Sequence, residues 1–362
     1  MGFLSPLYPI VMDRFGLSLS LVGTISMVAA LASAFAQPLF GTLFDRFNIT
    51  AAVYLAPLLT GVFVSCLGIA PSYPVFLALL FLGSLGSAAF HPKGASVTPS
   101  LSGGHPEVGM AIFSAGGNLG FAAGPAAIAF FIAAFGLGAT PVLAIPSAAM
   151  ALVLFLLLPS RELAARTAGD RGVRWRSLFA DRKRRVVLVR LVFINFCITV
   201  AVRGMSTFLP VFLAGFGMKV TRIGVIFTIM LTVGAAASIL AATLSRRTGG
   251  RLLILLTMLG GVPFAVAGLF LLPGAWGIVL VVLAGTIFAS SGPIMLVFAQ
   301  SYSGGSPAIA SSLIMGVSWG VAGLVMVPLG WLGEVIGIRP MMLAAVLFPV
   351  LALVSGLRIP RR

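Results

Sequence analysis

The sequence predicts an all-α membrane protein built as two six-helix halves, and three observations carry that prediction. Hydrophobic residues fill 60% of its 362 positions and charged residues only 8%. A water-soluble domain carries roughly a quarter charged residues, so the polar surface here is too small to cover a soluble globule. Eleven apolar runs are each long enough to cross a bilayer. The second half of the chain repeats the first at a constant offset of 201 residues.

A hydrocarbon core about 30 Å thick needs about 20 helical residues. The runs that meet this length are 20–43, 51–70, 75–97, 108–135, 140–159, 186–214, 221–244, 251–272, 276–298, 307–333 and 339–357. The 43 Gly and 22 Pro fit the same class, because both are commoner in membrane helices than in soluble ones. Residues 1–12, MGFLSPLYPIVM, are apolar but would span only about 18 Å as a helix. This segment is expected to be the second half of a truncated first helix. No cleavable leader is expected, since a basic n-region is lacking and Pro6 and Pro9 interrupt the apolar run.

The repeat supports that reading. At the offset of 201, Pro9 falls on Pro210, Phe15-Gly16 on Phe216-Gly217 and Gly23 on Gly224. Thr42-Leu43 falls on Thr243-Leu244, Pro92 on Pro293 and Gly136 on Gly337. Ser102-Gly103-Gly104 falls on Ser303-Gly304-Gly305. Two parallel six-helix halves are one of the architectures of secondary transporters. The seventh helix starts about 25 residues before Pro210, whereas eight residues precede Pro9, so roughly 15 residues of the first helix are expected to be missing. The expected organisation is an N-terminal bundle over 1–159, a polar linker over 160–185 and a C-terminal bundle over 186–362.

The net charge of +16 does not point to nucleic acid. Nucleic-acid binders gather basic residues on a stripe of a polar domain, and here they lie between apolar runs. With the linker placed in the cytoplasm, 17 of the 23 basic residues fall on that side, among them Arg46, Lys93, Arg246, Arg247, Arg251 and Arg358. The opposite side keeps Arg14, Lys219, Arg222 and Arg339. The positive-inside rule therefore places the linker and C-terminus in the cytoplasm of a multi-pass protein of the bacterial inner membrane. Cys66 and Cys197 lie far apart in apolar runs, so they read as small apolar residues. Neither they nor His91 and His105 make a metal spacing, and no metal or cofactor is expected. Nothing in the sequence signals an oligomer, and a monomer is expected.

Arg203 is the most informative single residue. It lies near the middle of the seventh run, where a charge costs about 2.5–3.5 kcal/mol to insert. Such a group faces the bundle interior or a wet cavity. It reads as an anion-binding group in a substrate path, or as a structural Arg bonded to carbonyls. Arg190, nearer the helix start, reads as snorkelling. Asn118 is polar at membrane depth and needs a partner. His91 can titrate near neutral pH, and Pro92 bends the helix beside Lys93. His91 and Lys93 also fit an interfacial pair at the cytoplasmic surface. Gly120 and Gly124, one turn apart, permit close approach of a neighbouring helix, and Pro125 adds a bend. Either plain packing or a moving contact accounts for them. All seven acids, Asp13, Asp45, Glu107, Glu162, Asp170, Asp181 and Glu334, are expected at helix ends or in loops.

Together these features resemble the major facilitator superfamily, and a bundle of that type is the expected fold. GTLFDR, with Gly41, Asp45 and Arg46, resembles its loop signature between helices 2 and 3, and the resemblance implies that Asp45 helps latch the halves on the cytoplasmic side. Asn48 stands where a Gly is usual, and Ile49-Thr50 replaces a basic run. Lys93 is the expected partner of Asp45. GNLGFAAGP, with Gly120, Gly124 and Pro125, resembles the helix 5 motif of exporters that run as antiporters. FHPKGASV followed by GMAIFSAGGNLGFAAGP, together with GMSTFLPVFL, resembles the fosmidomycin-resistance branch, from which Lys93 departs where an acid is frequent. That resemblance implies proton-coupled efflux of a small drug or anionic metabolite by alternating access. Arg203, Asn118 and His91 would line the substrate path, and Gly41, Asp45, Arg46, Pro92, Lys93, Gly120, Gly124 and Pro125 would serve conformational change. An importer of an organic anion or sugar, or an inactive truncated transporter, are the alternatives. An enzyme is not expected, because no nucleophile–base or metal set shares one depth.

Overall fold

The computed structural model describes residues 2–47, 49–102, 105–158, 181–303, 310–311 and 313–360. The side chains of Gly41, Asp45 and Arg46 lie outside the described residues. Helices follow one another in the order α1 Leu4–Phe15, α2 Leu19–Phe47, α3 Ala52–Ser65, α4 Tyr73–Leu101, α5 Pro106–Phe135 and α6 Ala144–Leu157. Then come α7 Arg182–Gly215, α8 Val220–Thr248, α9 Gly250–Leu271, α10 Ala275–Ser301, α11 Ser318–Ile336, α12 Ile338–Leu351 and the short α13 Leu353–Leu357. Among the described residues, 11 helical spans are long and apolar enough to cross a membrane, and each falls on one of the predicted runs. A π-helical turn, Leu313–Val317, precedes α11.

The helices form because every backbone polar group in a bilayer must find a partner within the chain. Serine and threonine side chains obey the same constraint by bonding back to their own helix. Ser84 Oγ donates to the Leu80 carbonyl at 2.6 Å, Ser206 Oγ to that of Val202 at 2.8 Å and Thr257 Oγ1 to that of Leu253 at 2.9 Å. Large apolar side chains such as Leu156, Ile239, Leu240 and Trp276 point outward, as suits a lipid surround. α7 is 34 residues long, about 51 Å at 1.5 Å per residue, so it outruns the bilayer at its linker end. Asp181 starts it, its carboxylate accepting from the Lys183 N–H at 2.8 Å.

The repeat is visible in backbone geometry. Gly16 and Gly217, one repeat apart, both take left-handed φ, at 61° and 75°. So do Gly136 and Gly337, at 79° and 92°. At each position the chain leaves one helix for the next in a conformation that L side chains avoid. Helix packing repeats too: α3 packs on α4 and α6, and α9 on α10 and α12.

The chain divides into two compact units. One comprises Met1–Met27, Phe121–Phe130 and Val173–Arg362, and the other Val28–Gly120 and Phe131–Gly172. The first unit thus draws α1, the start of α2 and one stretch of α5 into the company of α7 to α13. Its core is centred on Phe208, Phe227, Phe288, Leu191 and Ile194. The Arg190 Nη1 donates to the Arg358 carbonyl at 2.8 Å. Arg251 donates to the neighbouring Leu357 carbonyl. Two cations thereby satisfy carbonyls at the end of α13, where the helix dipole is negative.

Candidate functional site

The first unit holds a polar cluster at membrane depth on α7. Asn195, Thr199, Arg203 and Thr207 recur every four residues, so they run as a stripe along one side of an otherwise apolar helix. Thr207 Oγ1 donates to Ser26 Oγ of α2 at 3.0 Å. The Tyr8 side chain of α1 lies beside Ser26, Thr207 and Arg203. Arg203 Nη1 reaches Ser26 Oγ at 3.5 Å, a long and weak contact. Tyr8, Ser26 and Thr207 are all buried.

The guanidinium of Arg203 is under-satisfied. Its Nε is buried with no hydrogen-bond partner. Among the described residues, no carboxylate forms an ion pair with it. One face is covered by Trp319 of α11, whose ring centroid lies 5.2 Å from Cζ, within cation–π range. A guanidinium has five donors and no acceptor, and the edge carrying Nε is left with an unpaired donor. An oxyanion is the group whose chemistry would satisfy it, because a planar fork and two oxygens match in a bidentate pair. Arg339 also has a buried, unpartnered Nε and lies over the Phe212 ring, 5.5 Å from its centroid. It sits in the first turn of α12, at a helix end rather than mid-helix.

The other predicted residues are placed as follows. Asn118 is exposed on α5 in the second unit, and a Cβ added at Gly116, Gly117 or Gly120 would meet nothing within 4 Å. Gly124 lies in the first unit, and there the Phe3 backbone N is 3.3 Å from where a Cβ would stand. Pro125 is buried. His91 is exposed beside the Phe90 ring, and Lys93 is 3% exposed. α4 runs through Pro92 to Leu101, and Lys93 lies two residues before the end of its apolar span, Tyr73–Ala95. The Asp45, Arg46 and Gly41 contacts lie outside the described residues.

The sequence reading missed Tyr8, Ser26, Thr207 and Trp319. Their usable signal was the four-residue spacing of polar groups through the apolar run around Arg203. It also missed two close contacts at the ends of helices remote from the linker. A Cβ at Gly23 would stand 2.3 Å from the Met326 carbonyl oxygen, and one at Gly224 would stand 2.7 Å from the Pro125 carbonyl oxygen. Met326 is Pro125 plus one repeat, and Gly224 is Gly23 plus one repeat, so these are the same contact made twice. Beside the first, the Glu334 carboxylate accepts from the Ser20 N–H at 2.7 Å and caps the start of α2. Glu334→Gln is expected to speed amide exchange at Ser20 and its neighbours without changing exchange in α7. Hydrogen–deuterium exchange with mass spectrometry checks this, and unchanged Ser20 protection would refute it.

A model of the Major Facilitator Superfamily matches residues 1–312. The chain belongs to the Major Facilitator Superfamily. Within the superfamily it is similar to the fosmidomycin resistance protein of Escherichia coli (strain K12), 26% identical over 266 residues, which are 72% of this chain and 64% of that protein. It is also similar to the uncharacterized MFS-type transporter YfnC of Bacillus subtilis (strain 168), 30% identical over 133 residues, 36% of this chain and 32% of that one. Both alignments span less than two thirds of the relative's length. Solved transporter structures share the fold. The nucleoside transporter NupG superposes with a TM-score of 0.79 at 14% identity, covering 99% of this chain and 94% of that one. A bacterial homolog of the human lysosomal transporter Spinster, inward-facing and unoccupied, gives 0.76 at 16% identity, covering 98% and 92%.

Proposed function

We propose that this chain is a secondary transporter that exports a small organic oxyanion in exchange for protons, by alternating access. The observation that carries the reading is Arg203: a cation at membrane depth with a buried, unpartnered Nε, ringed by neutral hydroxyls. The likeness to the fosmidomycin resistance protein supports a phosphonate or similar anion as cargo. The linker and C-terminus lie in the cytoplasm, and the halves 1–159 and 186–362 rock about the central site. Asn118 and His91 lie along the substrate path. Gly120, Gly124 and Pro125 of α5 form a moving contact, and Gly41, Asp45, Arg46, Pro92 and Lys93 serve a latch on the linker side.

The test uses the purified chain in liposomes with labelled methylphosphonate as probe and an imposed pH gradient. The probe is expected to move against the proton flow, at least about tenfold faster than in protein-free liposomes, a difference of about 1.4 kcal/mol in barrier. Movement in the same direction as protons would overturn export and favour an organic-anion importer. Movement of a neutral hexose with no movement of methylphosphonate would overturn the anion reading. Movement of neither probe would mark the polypeptide as inactive.

A further inference from the structure

α7 and α11 are joined by a second polar contact that the cargo reading does not use. Two turns from Arg203 on the same stripe, about 12 Å along the helix, the Asn195 side chain is buried. Its Nδ2 donates to the Ile314 carbonyl at 2.8 Å. Ile314 lies inside the π-turn Leu313–Val317. A π-turn carries one residue more per turn than the α-helix around it and leaves its carbonyls poorly partnered, so it persists where something else holds them. Here the Asn195 amide does so. One residue past the turn, Ser318 Oγ donates to the Val192 carbonyl of α7 at 3.2 Å. The next residue is Trp319, whose ring covers Arg203.

We propose that Asn195 is a positioning residue of the anion site: by holding the π-turn at Ile314 it sets the Trp319 indole against one face of the Arg203 guanidinium. This rests on the oxyanion reading of Arg203 and adds to it a specificity device. Relaxing a π-turn to α geometry changes the helix by one residue, which is about 100° of rotation for what lies on one side of it. Trp319 is two residues beyond the turn and would carry that change directly. With the indole in place, one face of the guanidinium is closed, and the donors point outward in its plane. An anion must then bind edge-on, and a second cation or a flat apolar group is denied the face that the ring occupies. The amide contact therefore acts on the cargo through Trp319 and touches no cargo itself.

The experiment uses the full chain with Trp175, Trp276 and Trp331 changed to Phe, leaving Trp319 as the only indole. Two readouts are taken in detergent: acrylamide quenching of Trp319, and methylphosphonate affinity by calorimetry. Asn195→Ala is expected to raise quenching about twofold and to weaken methylphosphonate about fivefold to tenfold, the scale of one buried hydrogen bond. In transport, KM should rise while kcat changes less than about twofold. A merely structural Asn195 would lower the melting temperature but leave quenching and affinity unmoved, and that result overturns the proposal. If Asn195→Ala does not reach the detergent-soluble state, Asn195→Ser, with its shorter donor, is read by the same two measurements and the same criterion. Arg203→Gln separates the two levels. Methylphosphonate binding that survives it overturns the oxyanion reading, whereas the Asn195 effect on Trp319 quenching stands or falls without any anion present.

Discussion

Arg203→Gln is expected to reduce methylphosphonate transport about a hundredfold or more, while the protein inserts normally and melts at the same or a higher temperature. Truncating one partner of a buried charge pair costs about 2–5 kcal/mol of binding, and about 2.7 kcal/mol is a factor of a hundred. The stability arm has the opposite sign. The cation costs about 2.5–3.5 kcal/mol to place at this depth, and its Nε gains nothing back from a protein partner. Removing the charge removes that cost, so loss of function should come with no loss of fold. Arg203→Lys should rescue only part of the activity, since a point charge cannot reproduce the fork. Transport assays and thermal melts on the same preparations give both arms. A Gln variant that transports normally would refute the role of Arg203, and one that fails to insert would mark it as structural.

Gly23→Val is expected to force the remote ends of α2 and α11 apart. The added Cβ would stand 2.3 Å from the Met326 oxygen and 2.7 Å from its carbonyl carbon, and neither is a flexible side-chain end that can swing away. Overpacking of this kind costs about 1–3 kcal/mol, enough to shift a two-state equilibrium about tenfold to a hundredfold. Because the contact is made twice, Gly224→Val should act in the same direction through the Pro125 oxygen. Spin labels at exposed Leu21 and Val335, with Cys66 and Cys197 replaced, report the separation of α2 and α11. Their distance distribution should move to longer values in Gly23→Val, and transport should fall about tenfold. An unchanged distribution would mean that the close approach is not needed for this conformation.

The helices were legible in the sequence because a bilayer imposes a length rule on every span, so run length alone located them. The repeat was legible because glycines such as Gly16 and Gly217 take a positive φ in both halves, and few other residues adopt it. Arg203 was legible because a charge in an apolar run is costly and needs a reason. Its surroundings were not. Tyr8, Ser26 and Trp319 come from α1, α2 and α11, are neutral, and break no local rule, so nothing in their own segments marked them. The π-turn was hidden for a related reason: it depends on Asn195, which lies 119 residues away in sequence.

The doubled glycine contact has a consequence for how such a chain can diversify. In a symmetric dimer of a single six-helix protomer, any substitution appears at both copies of the interface at once. A chain that carries both halves in one sequence is free of that restriction. Gly23 and Gly224 remain matched, but Ala133 and Thr221 stand one repeat from Glu334 and Ser20, and an alanine side chain offers no acceptor for such a bond. One close approach carries a polar clasp beside it that the other cannot repeat with the same residues, so the two can be tuned by separate mutations.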